Sequence, residues 1–307
     1  MEYVLQTRDL TKSYRAGRVL NGISMNIQRG DVYGFVGENG SGKTTVIRLI
    51  TGLIYADSGE FSLFGVSSND PAIRKARART GAIVESPSIY LNMSAKENLQ
   101  MQCGILGIHS EEKCKATLET VGLGELWESK KHAGDFSLGM RQRLGIAMTL
   151  LGDPEFIILD EPMNGLDPAG IVDIRELILR LNREMGITFL ISSHILTELA
   201  LVATRYGIIS HGKLLQEISS DELAGVCRHT AEIKVTDRDA LVALLAPDFD
   251  NTVMFLLDGG VRIEGDIDLN AVLGKIISAG LTIKAVNTYS TSIEDYYLSM
   301  MRGGDHA

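Results

Sequence analysis

The sequence is short of cysteine: Cys103, Cys114 and Cys227 are its only thiols in 307 residues. So few and so scattered, they exclude a disulfide framework or a cysteine-rich metal cluster, fit a reducing compartment, and read as small buried hydrophobes. Long apolar runs are also missing. FIIL at 156–159 and ITFLIS at 187–192 are strand-sized, well below the roughly 18 apolar residues of a membrane helix. The opening MEYVLQTRDL has no apolar stretch, so it does not read as a signal peptide, and any service to a membrane would come from outside the bilayer. Positive charge is in deficit, with 30 Lys plus Arg against 39 Asp plus Glu and a net charge of -9. That balance argues against a chain whose main task is neutralising nucleic-acid phosphates, so no nucleic-acid partner is expected.

What is present is an ordinary globular composition, 45% hydrophobic and 22% charged, at a length with room for one large domain and a smaller one. Residues 1–66 read as short strands, VLQTRDL, ISMNIQ, VYGFVG and GEFSLFG, divided by turn signals. From about 86 to 151 the pattern turns helical, with Ser94 as a cap before AKENLQMQCGIL and further helical stretches at 110–120 and 139–151. FIILDE is a continuous apolar run with its charges at the carboxyl end, as in a strand buried on both faces of a parallel sheet. Asp167 and Pro168 then open a helix in which Ile171, Ile174, Ile178, Leu181 and Met185 recur at helical steps up to Gly186, and ITFLISS is the next buried strand. Strand, helix, strand in that order is the unit of an α/β fold. After about residue 219 the order becomes strand, helix, hairpin, helix, strand, which predicts a small α+β, ferredoxin-like module at 220–307 behind a domain at 1–219.

Chemistry concentrates in Gly37-Glu38-Asn39-Gly40-Ser41-Gly42-Lys43-Thr44, a GxxxxGK[ST] run lying between the apolar strand VYGFV and the helical TTVIRLIT. Glycines at 37, 40 and 42 allow the loop's N–H groups, with Asn39 and Ser41, to turn inward onto phosphate oxygens, and the following helix adds its positive end. Lys43 is placed to reach the β- and γ-phosphates and Thr44 to ligate Mg²⁺; Thr45 is counted with the nucleotide-binding positions. At the end of FIILDE, Asp160 and Glu161 bring two carboxylates to the ligand edge of a sheet. Asp160 suits a Mg²⁺ shell, and Glu161 suits the water-positioning base of phosphoryl transfer. Taken alone, a strand ending in Asp-Glu is as often a helix cap; the phosphate loop beside it favours catalysis.

Those two motifs occur in many nucleotide-hydrolysing families. Phe136-Ser137-Leu138-Gly139-Met140-Arg141-Gln142-Arg143 is more specific, and resembles the signature sequence of the ATP-binding-cassette (ABC) family. Tyr14 resembles the aromatic that stacks on adenine, Gly165-Leu166-Asp167 the D-loop, and Ser193-His194 the switch histidine; the agreement runs from about residue 3 to 218. The resemblance implies a P-loop NTPase cassette with a parallel core, an antiparallel β subdomain and a helical subdomain at about 86–151. It implies hydrolysis of ATP to ADP and phosphate with Mg²⁺, and His194 hydrogen-bonding the γ-phosphate. It also implies a head-to-tail homodimer in which ATP sits between the phosphate loop of one copy and Ser137 and Gly139 of the other. Separate polytopic membrane permease subunits would hold the dimer at the cytoplasmic face of the cell membrane.

Two departures stand out. Glu85, in Gly81-Ala82-Ile83-Val84-Glu85-Ser86-Pro87, lies where most cassettes carry glutamine; a carboxylate there can still ligate Mg²⁺ and orient water, but adds negative charge beside the phosphates. This variation resembles the cassettes of bacterial lantibiotic-immunity and bacitracin-resistance exporters, which makes export of a peptide antibiotic the expectation. The signature is also degenerate at Leu138 and Met140. Ile89, Tyr90, Leu91 and Met93 form an apolar cluster where transporter cassettes receive a membrane subunit. The competing readings are a cassette ATPase acting on a non-membrane target and a silent ATP-binding regulator. The first lacks a coiled-coil insertion or second cassette in its support, and the second is disfavoured by the presence of Lys43, Asp160, Glu161 and His194. The 220–307 module carries no readable chemistry, and its position suggests dimer stabilisation or regulator binding.

Overall fold

Alternating buried and exposed side chains build the first sheet of the computed structural model, which describes residues 2–226, 229–249, 254–264, 268–290, 296, 297 and 300. Cys227 lies outside the described residues. The chain falls into two compact units, residues 1–220 and 221–307. In the first, β1 (Tyr3–Tyr14) pairs with β2 (Gly17–Ile23), β3 (Asn26–Gln28) and β5 (Ser58–Leu63), all antiparallel, and β5 carries β6 (Val66–Ser67) at the edge. The run ISMNIQ is thus not one strand but the end of β2 and all of β3. The buried Thr7 hydroxyl makes the break: it donates to the Ile23 carbonyl and accepts from the Met25 N–H, both at 2.9 Å.

The second sheet has the order β11-β10-β4-β9-β8-β7, with β4 (Val32–Val36), β7 (Thr80–Ile83), β8 (Phe156–Asp160), β9 (Thr188–Ser193) and β10 (Arg205–Ser210) parallel, and β11 (Lys213–Ser219) antiparallel to β10. Every residue of β4, β8 and β9 is buried, which is why these segments read as continuous apolar runs instead of alternating. Because β4, β9 and β8 are neighbours, Val36 pairs with Ser193 and Asp160 with Ser192. The carboxyl ends of three strands therefore share one edge. At the opposite end of β8, Glu155 receives Arg79 Nε at 2.5 Å and Nη2 at 2.9 Å, and Arg29 Nη1 at 2.9 Å.

Helix α1 (Lys43–Thr51) follows β4, α2 (Ile73–Arg77) precedes β7, and α3 (Ala95–Leu106), α4 (Glu111–Thr120) and α5 (Leu138–Leu150) form the helical lobe. Ser94 caps α3 in a reciprocal capping box with Glu97, as the sequence predicts. The lobe's first helix begins at 95; residues 86–93 run as a non-helical approach. Cys103 and Cys114 are buried between α3 and α4 with their sulfurs 2.7 Å apart. Asp167 caps α6 (Pro168–Met185), its carboxylate accepting from the Gly170 N–H, and Gly186 ends it in the left-handed conformation. A short α7 (Leu196–Leu199) follows β9.

The second unit opens within α8 (Ser220–Val226) and continues β12 (His229–Val235), α9 (Arg238–Leu245), β13 (Met254–Leu257), β14 (Gly260–Glu264), α10 (Leu269–Ser278) and β15 (Ile283–Ser290). Its antiparallel sheet has the order β13-β14-β12-β15, placing the first and third strands of βαββαβ at the centre, the ferredoxin-like arrangement. Ile233, Val261 and Ile263 from the sheet and Leu241, Leu245 and Ile276 from the helices form its core.

Candidate functional site

The phosphate loop leaves β4 at Gly37, where a Cβ would lie 2.4 Å from the Ile209 carbonyl oxygen and 2.6 Å from Ser41 Oγ. Only glycine fits that approach. Gly42, at φ 111, turns the chain directly into α1. Lys43 is 5% exposed, and its ammonium donates to the Gly37 carbonyl at 2.7 Å and the Glu38 carbonyl at 3.2 Å. Ser41 Oγ is buried with no hydrogen-bond partner. A buried hydroxyl without a partner costs free energy unless a ligand completes it, so the loop's glycines, ammonium and orphan hydroxyl fit a bound phosphate chain. Thr45 is buried, Thr44 half-buried, and Asn39 and Gly40 are exposed at the loop's tip.

The two carboxylates diverge. Asp160 is buried and accepts from Ser192 Oγ at 2.5 Å; the same hydroxyl accepts from the Glu161 N–H at 2.9 Å. Glu161 turns out of the strand at φ 49, a conformation unfavourable for a side chain other than glycine. Its Oε2 shares a 2.8 Å hydrogen bond with His194 Nδ1, and its Oε1 lies 3.4 Å from Lys43 Nζ. Lys43, the adjacent Asp160 and Glu161, and His194 are thus brought together from three separate segments: the start of α1, the end of β8 and the end of β9. Ser192, which ties Asp160 to Glu161, is a site residue that sequence reasoning passes over; its one signal is its place two residues before the histidine.

The other candidates are arranged differently. Glu85, at φ 64, forms an ion pair with Arg48 of α1. Tyr14 ends β1 and is exposed, with the Lys12 ammonium 5.9 Å from its ring centre. Ser137 caps α5, accepting from the Met140 N–H at 3.2 Å, and Gly139 lies in that helix's first turn. Among the described residues, none of these hydrogen-bonds to the Lys43–Glu161–His194 group. Nor does any cluster of three or more His, Cys, Asp or Glu there hold a metal by itself. The donors at Thr44, Asp160 and Glu85 are all oxygens, which suits Mg²⁺ arriving with phosphate oxygens and water in its shell.

Beside Glu85 lies a groove of 630 Å³ whose lining includes Thr51, Leu53, Val84, Pro87, Leu106 and Met148. Leu53, Tyr90, Leu91, Ile105 and Leu106 are exposed apolar side chains, while Ile89 and Met93 are half-buried. The fully buried Asn98 fixes the exposed loop: its Oδ1 accepts from the Tyr90 N–H at 2.8 Å and its amide donates to the carbonyls of Tyr90 and Ser94 at 3.1 and 2.9 Å. Among the described residues, no helix is long and apolar enough to cross a membrane.

Comparison with known proteins agrees with this geometry. The family model described as ABC transporter matches residues 20–164, and one described as AAA domain, putative AbiEii toxin, Type IV TA system, matches residues 130–200. The chain is 41% identical to the bacitracin transport ATP-binding protein BcrA of Bacillus licheniformis over 99% of both chains. It is 42% identical to the lantibiotic transport ATP-binding protein SrtF of Streptococcus pyogenes over 71% of this chain and 92% of that one. The structure of cbiO1 from Clostridium perfringens, part of the ABC transporter complex cbiONQ, aligns with a TM-score of 0.65 at 27% identity, covering 73% of this chain and 91% of that one. A phosphate loop, a carboxylate held between its lysine and a histidine, and identity running the length of both sequences lead to one assignment: this chain belongs to the ABC transporter family as an ATP-binding subunit with ABC-type ATPase activity.

Proposed function

We propose that the chain drives export of a peptide antibiotic, of the bacitracin or lantibiotic kind, from the cytoplasmic face of the cell membrane, beneath separate polytopic permease subunits. The observation that carries this reading is the 41% identity, over 99% of both chains, with a protein named for bacitracin transport. The same full-length relationship weighs against a cassette acting on a non-membrane target. The 630 Å³ groove and the apolar side chains around it supply a surface for a short permease helix.

In this reading residues 1–219 are the nucleotide-binding domain and 220–307 an accessory domain. The N–H groups of the loop 37–45 and the Lys43 ammonium hold the β- and γ-phosphates. The Glu161 carboxylate orients the attacking water, and His194, hydrogen-bonded to Glu161, directs its ring toward the γ-phosphate. Thr44, Asp160 and Glu85 would hold Mg²⁺, which would supply positive charge to offset that of the phosphates. Tyr14 provides a ring for adenine. Ser137 and Gly139 at the start of α5 form an anion site that a second copy's triphosphate completes, in a head-to-tail homodimer. ATP contacts both copies only when they close, so binding drives closure and hydrolysis reopens it.

Purification from the native membrane in mild detergent, with mass spectrometry of the bound polypeptides, tests the reading. A polytopic membrane protein co-purifying at matched amounts is expected, together with loss of bacitracin or lantibiotic tolerance when the gene is deleted. Recovery with nucleic acid or soluble proteins alone would remove the transport assignment.

A further inference from the structure

Arg48 stands on the helix that begins with Lys43, and its guanidinium meets the carboxylate of Glu85 across 37 positions of sequence. The two side chains are 38% and 60% exposed, so the pair is weak enough to be exchanged. Glu85 itself sits in a left-handed turn at φ 64, between the strand β7 and the approach to the helical lobe. Val84 and Ser86 on either side of it line the groove, as does Thr51 three residues beyond Arg48. The pair therefore joins the phosphate-loop helix to the groove wall at one point.

We propose that Arg48 is a positioning residue for Glu85: in the nucleotide-free protein it holds that carboxylate against α1 through Oε1 and offsets its charge, and bound Mg²⁺ competes with it for the carboxylate. The inference rests on the reading of Glu85 as a Mg²⁺ ligand. A divalent cation and a guanidinium repel each other, so each weakens the other's hold on one carboxylate. Without metal, Arg48 shields the triphosphate from the negative charge that Glu85 brings; with metal, it is a rival for Glu85.

The two roles have opposite signs, which makes the test specific. The quantity is the factor by which Mg²⁺ tightens binding of a slowly hydrolysed ATP analogue to the full-length chain, titrated in Mg²⁺ and in EDTA. Arg48→Met removes the rival in one condition and the shield in the other, so the factor rises about two- to fivefold, the range for a half-exposed ion pair. Arg48→Gln gives the same rise, and neither substitution changes the factor in a Glu85→Gln background. An unaltered factor in both Arg48 variants, or an equal rise in the Glu85→Gln background, overturns the proposal. Failure of the underlying reading is separate: Glu85→Ala would then bind with the parent's Mg²⁺ factor, whereas a ligand role lowers it.

Discussion

Around the phosphate loop Lys43, Asp160 and Glu161 are buried or half-buried and tied together through Ser192 and His194. At the start of α5, by contrast, Ser137 and Leu138 are exposed, and the Ser137 hydroxyl caps its own helix. One region is assembled by the fold of a single chain. The other presents a helix N-terminus and a hydroxyl to whatever comes next to it. A single chain thus assembles the lysine, both carboxylates and the histidine by itself, and leaves the start of α5 open at its surface.

Substitutions separate the two regions. Lys43→Ala removes the buried ammonium and, with its charge-assisted contacts to two phosphates, should weaken nucleotide binding by about 1,000-fold; titration with a fluorescent nucleotide measures it, and undiminished binding would overturn the loop's role. Glu161→Gln should leave affinity intact while lowering the ATPase rate by about 100-fold or more, and should accumulate an ATP-bound dimer on size exclusion. Turnover equal to the parent would take Glu161 out of its role. Ser137→Ala should reduce the rate about tenfold at saturating ATP with no change in affinity of the isolated chain. Affinity falling in step with rate would erase the distinction between the regions. The smallest effect belongs far from both, at Glu155, whose carboxyl is lowered from its ordinary value to about 2 by hydrogen bonds from Arg79 and Arg29, the guanidinium of Arg79 first. A lowered folded value stabilises the protein above the unfolded value and is lost as pH falls through the folded one. Glu155→Gln should therefore cost about 1 kcal/mol or less near neutrality, with the difference from the parent shrinking between pH 4.5 and about 2; melting curves across that range check it.

The phosphate loop, FIILDE and the helix from Asp167 to Gly186 were all legible because local chemistry fixes them: glycine spacing, a fully apolar run, a cap at each end. The βαββαβ order of the second unit was legible for the same reason, each element carrying its own period. What escaped depends on partners distant in sequence. Thr80–Ile83 becomes a strand by pairing with β8, and its four residues carry no strand pattern alone. Ser192 is one of two adjacent serines until the register opposite Asp160 selects it. Arg48 is an ordinary helix cation until the turn at Glu85 meets it. Asn98 reads as a polar position on a helix, yet it is buried to fasten the loop carrying Tyr90 and Leu91.

Two of the carboxylates assigned to the nucleotide, Glu85 and Glu161, occupy backbone conformations that glycine adopts freely. Each such residue costs on the order of 1 kcal/mol or more in strain. Glycine would relieve that strain, but it would forfeit the Glu161 hydrogen bond to His194 or the Glu85 ion pair with Arg48 and add chain entropy to the unfolded state, so the contacts that place these carboxylates are also what keep the strained turns in place.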